Sequence, residues 1–289
     1  MNIQEVVTDR IIAALDNGII PWRKEWTASN ALPSNYITKK PYRGINTWML
    51  LCSEFPSNEW MTYKQAQSIG AQVRKGEKGS PVVFWKFDNV KIDKATGDEK
   101  AWAFAKQYTV FNVAQIDGLP ASLPFDAPVF HPLEAADALV SIYLASASAP
   151  QFAHDGGNKA FYSPTYDKVS MPARESFHNS EGYYSTLFHE FAHSTGHASR
   201  LDRFTDTNMQ FKSESYSKEE LIAEFAAAFL CAESAITNAE SETNSVAYIQ
   251  GWLKALKNDK TMAMQAAQRA QKAADYITGH KFVTATVTE

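Results

Sequence analysis

Cysteine is scarce in this 289-residue chain: there are two, Cys52 and Cys231, far apart and each set in an apolar segment. So sparse a thiol content argues against a scaffold stapled by several disulfides and reads as two buried small hydrophobes of a cytoplasmic protein, with a single disulfide between them the lesser alternative. Long apolar runs are also missing. None approaches the ~20 residues a membrane-spanning helix requires, and the opening MNIQEVVTDR lacks a signal-peptide layout, so no membrane partner is expected. No internal repeat is evident. What remains is a soluble, globular composition, 45% apolar and 21% charged, long enough for two ordinary domains or one large one.

The net charge of -4 conceals an asymmetry. Residues 1–125 hold 15 Lys and Arg against 12 Asp and Glu, whereas residues 126–289 hold 13 against 20. That suits a basic module facing an anionic partner, joined to an acidic module with another task. Residues 3–17 have the apolar spacing of an amphipathic helix and stop at Gly18. The next stretch interleaves Trp22, Trp26, Tyr36, Tyr42 and Trp48 with Arg23, Lys24, Lys39, Lys40 and Arg43. Single-stranded nucleic acid is held by such a mixture, cations tracking phosphates while rings stack on bases at ~1–3 kcal/mol each. A Trp-rich core with solvated cations has the same pattern, and composition leaves the two equal. Asn46–Cys52 opens a second helix.

A basic glycine turn, Arg74-Lys75-Gly76-Glu77-Lys78-Gly79, precedes a strand at Val82–Phe87. It is no phosphate-binding P-loop, because no Lys-Ser/Thr follows the last glycine and a strand comes next. A hairpin rim whose cations meet backbone phosphates fits better. A second strand spans Ala101–Asn112, after a charged loop at 89–100 with a turn at Gly97. Three prolines in nine residues, Pro120 to Pro128, mark 118–128 as a linker. Helical periodicity follows at 133–147, then strands at Ala160–Ser163 and Lys168–Met171, and helices at Asn244–Leu256 and Met262–Ile277; the tail VTATVTE reads as frayed.

The chemistry is concentrated in His189-Glu190-Phe191-Ala192-His193. At 3.6 residues per turn the two imidazoles share a helix face and can reach one ion, with the Glu190 carboxylate beside them as proton acceptor. This HExxH pattern marks a zinc hydrolase, usually a peptidase. Leu187, Phe188, Phe191 and Ala192 place the helix in a core, where buried imidazoles need a partner. A third ligand is required. In HExxHxxGxxH enzymes it lies at the position here occupied by Ser199, and His197 falls too early, just after Gly196. SKEELIAEF is the better source: a helix capped by Ser217, with Glu220 and Glu224 one turn apart, either of which suits the role by periodicity.

IPWRKEW, PYRGINTWML, VRKGEKGSPVVFWKF and YTVFNVAQIDGLP resemble the N-terminal single-stranded-DNA-binding domain of ArdC-type antirestriction proteins of conjugative plasmids. HEFAHSTGH with EELIAEF resembles the metallopeptidase domain of the same family. The resemblance implies an α+β fold in two domains. An N-terminal α+β DNA-binding domain (1–117) is joined by a linker (118–128) to a mainly helical zincin-like domain with a small sheet (129–289). It implies zinc, or manganese in its place, held by His189, His193 and Glu220, with Glu224 orienting a ligand and Glu190 as catalytic base. It implies DNA contacts among Trp22, Arg23, Lys24, Lys39, Lys40, Tyr42, Arg43, Arg74, Lys75 and Lys78, and an unidentified protein substrate. In similar zincins a peptide adds to an edge strand before the HExxH helix, a place that Lys168–Met171 occupies.

Overall fold

The computed structural model of the chain describes residues 3–17, 20, 22, 32–53, 55, 57–92, 99–119, 132–204, 214–236 and 245–280. Helix α1 (Ile3–Asp16) buries Val7, Ile11, Ile12 and Leu15 and exposes Glu5, Asp9 and Asp16, as its 3.6-residue spacing requires. Strand β1 (Ser34–Asn35) and helix α2 (Ile45–Leu51) follow. Strand β2 (Glu59–Thr62) runs straight into helix α3 (Tyr63–Ser68), elements the sequence reading missed. Their junction is a capping box: the Gln65 N–H donates to the Thr62 hydroxyl at 3.2 Å, and the Thr62 N–H to the Gln65 side chain at 2.9 Å.

After β3 (Gln72–Val73) come two long strands, β4 (Ser80–Ile92) and β5 (Glu99–Asn112), paired antiparallel from Ser80 opposite Val110 to Ile92 opposite Glu99. Residues 89–92 and 99–100, expected as loop, are therefore strand; 93–98, with the Gly97 turn, lie outside the described residues. Strand β6 (Ile116–Asp117) pairs with β3. The main sheet has the order β1-β2-β5-β4. Its β4 edge is closed at one point by Asn46 of α2. The Asn46 side-chain amide donates to the Val83 carbonyl at 2.8 Å, and its oxygen accepts from the Val83 N–H at 2.7 Å.

Helix α4 (Pro132–Leu144) opens the second half, followed by β7 (Gln151–Ala153), β8 (Phe161–Ser163) and β9 (Lys168–Ser170). These three strands form a sheet in the order β7-β9-β8. Lys168–Ser170 is thus its centre and not its edge: β7 pairs along one side and β8 along the other, leaving no ladder for a peptide to join. Helices α5 (Ser180–Ser194), α6 (Glu214–Glu233), α7 (Ser245–Asn258) and α8 (Met262–Thr278) complete the fold. Because α6 begins at Glu214, Ser217 lies inside it and is not its cap.

The α+β fold has its two expected halves, and the N-terminal one holds clusters of its own around Trp60 and Val110 and around Met61 and Ile116, but packing also runs across the boundary. Val7, Ile11, Leu15, Trp22 and Trp48 belong to one hydrophobic core with Phe188, Phe191, Phe225, Trp252 and Leu256. Helix α1 lies against α7 and α8, and the Trp22 ring meets Phe225 at 4.7 Å and Trp252 at 5.4 Å, both edge-on. Polar ties cross the same seam: Thr8 Oγ1 donates to the Lys260 carbonyl at 2.6 Å, and Arg43 meets Asp275 at 2.5 Å. Burial of Val7, Ile11 and Leu15 is worth about 1.5–3 kcal/mol each. The exposed pairs Lys257–Asp16 and Lys260–Asp9 add ~0–1 kcal/mol apiece, so the apolar contact dominates. Of the expected linker, residues 120–128 lie outside the described residues, as does the tail from 281.

Candidate metal centre

Helix α5 is capped by Asn179, whose side-chain oxygen accepts from the Gly182 N–H at 2.7 Å. Tyr183, Leu187, Phe188, Phe191 and Ala192 face the core, which turns His189 and His193 toward α6. There the two Nε2 atoms stand 3.1 Å apart. Glu220 completes the triangle, with Oε2 3.6 Å from His189 Nε2 and Oε1 3.5 Å from His193 Nε2. One ligand atom from each of the three side chains lies within 4.8 Å of the others, and among the described residues no other group of His, Cys, Asp and Glu converges in this way. A tetrahedral ion with bonds near 2.0–2.1 Å places its ligands about 3.3 Å apart, so these edges fit a His2Glu set. Glu190 is nearly buried beside the trio.

The electrostatics agree. Burial alone would favour neutral imidazoles, but Glu220 outweighs it and holds His189 up, and Glu219 with Glu220 holds His193 well above the ordinary imidazole range. Burial would also raise Glu220, yet the two imidazoles hold it well below the usual carboxylate range. A cluster that draws protons onto converging nitrogens draws a divalent cation for the same Coulombic reason.

Glu219 was not singled out by spacing. It is buried, with Oε1 3.5 Å from Nδ1 of His193 and both oxygens held by the Arg203 guanidinium at 2.6 and 3.2 Å. Arg203 also donates to Thr195 Oγ1 at 2.7 Å and to the Ala192 carbonyl at 2.8 Å. It arrives on a turn that folds back under α5, the Arg203 N–H meeting the Gly196 carbonyl at 2.9 Å. A Cβ on Gly196 would stand 2.6 Å from the Phe204 ring, so glycine there permits the fold-back. Glu224, expected to orient a ligand, is outside the converging trio. Nor is His197 in it: its Nδ1 lies 2.8 Å from the Ser199 hydroxyl and 3.8 Å from Asp167. The hydroxyls of Tyr183 and Tyr184 are engaged by His154 at 3.0 Å and Asp137 at 2.5 Å.

The expected DNA contacts are scattered. Trp22 has no exposed surface and Tyr42 almost none, so neither ring offers a face for a base, a correction to the stacking role. Core packing and base stacking use the same residue types, and packing has claimed these two. Arg43 is engaged by Asp275, and Arg74 by Glu77 and Asp117. Lys39 pairs with Glu59 and sits 4.3 Å over the Tyr36 ring. Lys40, Lys75 and Lys78 are exposed, while Arg23 and Lys24 lie outside the described residues. An aromatic and cationic patch was overlooked on the β4–β5 ribbon. Phe84 is 40% exposed and meets Tyr108 edge-on at 5.5 Å, with the Lys106 ammonium 5.1 Å from the Tyr108 ring. Its signal was the period-2 placement of Phe84 after Val82 and of Tyr108 after Lys106.

Comparison with known proteins gives this geometry a context. A family model described as the N-terminal domain of anti-restriction factor ArdC matches residues 1–111, and one described as a zincin-like metallopeptidase matches residues 139–269. The crystal structure of antirestriction ArdC protein from the R388 plasmid, metal-free, is similar with a TM-score of 0.75 and 40% identity over 96% of this chain and 97% of that one. Its Mn(II)-bound structure gives 0.76 and 39%, over 96% and 98%. A protein named y4eC from Sinorhizobium fredii is 37% identical over 96% of this chain and 91% of its own. Two proteins named DNA primase TraC from Escherichia coli are 40% and 37% identical over 94% of this chain, which spans only 20% and 27% of their lengths.

Proposed function

Since the chain belongs to the ArdC family of antirestriction proteins and carries that family's zincin-like domain, we propose that it binds single-stranded DNA entering a recipient cell during conjugation and cleaves a protein substrate at a metal-dependent site. The observation that carries the second part is the convergence of His189, His193 and Glu220 beside the nearly buried Glu190. In this reading the three side chains hold zinc, or manganese, which a His2Glu set discriminates poorly. The cation supplies Lewis-acid activation of water and of the scissile carbonyl. Glu190 takes the proton of the attacking water and passes it to the leaving amine. Residues 1–117 carry DNA binding and 129–289 the hydrolytic site, in the cytoplasm; among the described residues no helix is long and apolar enough to cross a membrane.

The DNA reading is supported by the exposed Lys40, Lys75 and Lys78 and by the Phe84–Tyr108–Lys106 patch, rings and cations together. One variant tests both halves. Glu190→Gln is expected to retain stoichiometric metal by elemental analysis, to lose hydrolysis of a casein or peptide-library substrate, and to bind single-stranded DNA as before. Unchanged turnover would remove Glu190 from its role. If the same variant still protects incoming DNA from restriction, the zincin-like domain serves protection as a scaffold, and hydrolysis has a separate purpose.

A further inference from the structure

The imidazole of His193 lies between two adjacent carboxylates of α6, with Glu220 on its Nε2 side and Glu219 on its Nδ1 side, each at 3.5 Å. A histidine that ligates through Nε2 must carry its proton on Nδ1, and an acceptor there fixes both the tautomer and the ring plane. Glu219 is in place for this and is itself immobilised. Its side chain is 9% exposed and that of Arg203 6%, and the guanidinium grips both carboxylate oxygens in a fork. Arg203 is anchored in turn to the α5 terminus, through Thr195 Oγ1 and the Ala192 carbonyl, one residue before His193. The ligand helix α5, the turn after it and the carboxylate helix α6 are thus tied into one frame beneath His193.

We infer that Glu219, clamped by Arg203, is the positioning residue of the metal centre, holding His193 with its Nε2 lone pair aimed at the cation. The inference rests on the reading of His189, His193 and Glu220 as metal ligands. It assigns to Glu219 the orienting task that the family resemblance had suggested for Glu224.

The test is calorimetric titration of zinc ions into the full chain, at a temperature where each variant is folded by circular dichroism. Glu219→Ala is expected to weaken zinc binding by about 10–100-fold, the range typical of a lost outer partner. Glu219→Gln keeps an acceptor at Nδ1 and should lose less than the alanine variant. Arg203→Met strips the clamp but leaves Glu219 facing the ring; it should lower the metal-free melting temperature sharply and zinc affinity less than Glu219→Ala does. That ordering separates positioning from bulk structure, which would make affinity follow melting temperature. Should Glu219→Ala fail to fold, the glutamine variant decides alone. Wild-type affinity in Glu219→Gln and Glu219→Ala, with binding abolished in His193→Ala, overturns the inference. Wild-type affinity in His193→Ala overturns the metal site itself.

Discussion

Replacing Trp22 by alanine separates a core residue from a base-stacking one. The ring is fully buried, 4.7 Å from Phe225 and 5.4 Å from Trp252, with interplanar angles of 68° and 69°. Truncating a buried Trp to Ala costs about 3–5 kcal/mol, because the lost contacts leave a cavity that neighbours only partly fill. For a chain of this size the melting temperature moves roughly 2–4 °C per kcal/mol, so a fall of about 6–20 °C is expected. Phe225 lies on α6, the helix that supplies Glu219 and Glu220, so the loss should appear with and without added zinc. Differential scanning calorimetry measures it. Fluorescence anisotropy with a labelled oligonucleotide, read well below the melting point, should show DNA affinity within about twofold of wild type, an energy of ~0.4 kcal/mol. The opposite pair of results, an unchanged melting temperature and a large loss of DNA affinity, would refute the packing argument and restore the ring to the DNA surface.

Three further perturbations have defined outcomes. Gly196→Ala drives a methyl to 2.6 Å from the Phe204 ring and should cost about 1–3 kcal/mol and weaken zinc binding by loosening the Arg203 turn; adding Phe204→Leu should restore much of both, and no recovery would mean the ring is not the obstacle. Burial would raise Asp167, but hydrogen bonds from Arg200 and Tyr162 hold it below the ordinary carboxylate value. Its contribution is therefore complete above that value and is lost as pH falls through the lower folded one. The urea-midpoint gap between wild type and Asp167→Asn should be widest at neutral pH and begin to narrow only below about pH 4; a pH-independent gap would dismiss the ionised pairing. Lys75→Ala with Lys78→Ala should flatten the log-affinity against log-salt slope for single-stranded DNA by roughly 1–1.5, and an unchanged slope would place the phosphates elsewhere.

The HExxH helix could be read from the sequence because the evidence is local: two histidines four apart, an adjacent glutamate and an apolar remainder specify helix, face and chemistry within five residues. Helices α1, α7 and α8 were legible for the same reason, each carrying its own periodicity. Glu219 was not. Helix α6 presents several glutamates at similar spacing, and what distinguishes Glu219 is Arg203, delivered by a turn whose path depends on a glycine. Trp22 and Tyr42 were ambiguous because aromatic residues between cations serve a core as well as a nucleic acid. The short strand β7 has too few residues for alternation to show, so Lys168–Ser170 looked like an edge. Position in a sheet is a property of the partners, which no single segment records.

The first helix, with Trp22 and Trp48, covers helices encoded at the far end of the chain. A recombinant fragment begun after the proline-rich stretch would open a greasy furrow along α7 and α8, and it should clump rather than behave as a free-standing hydrolase. The two family-matched segments, residues 1–111 and 139–269, therefore share one packed core.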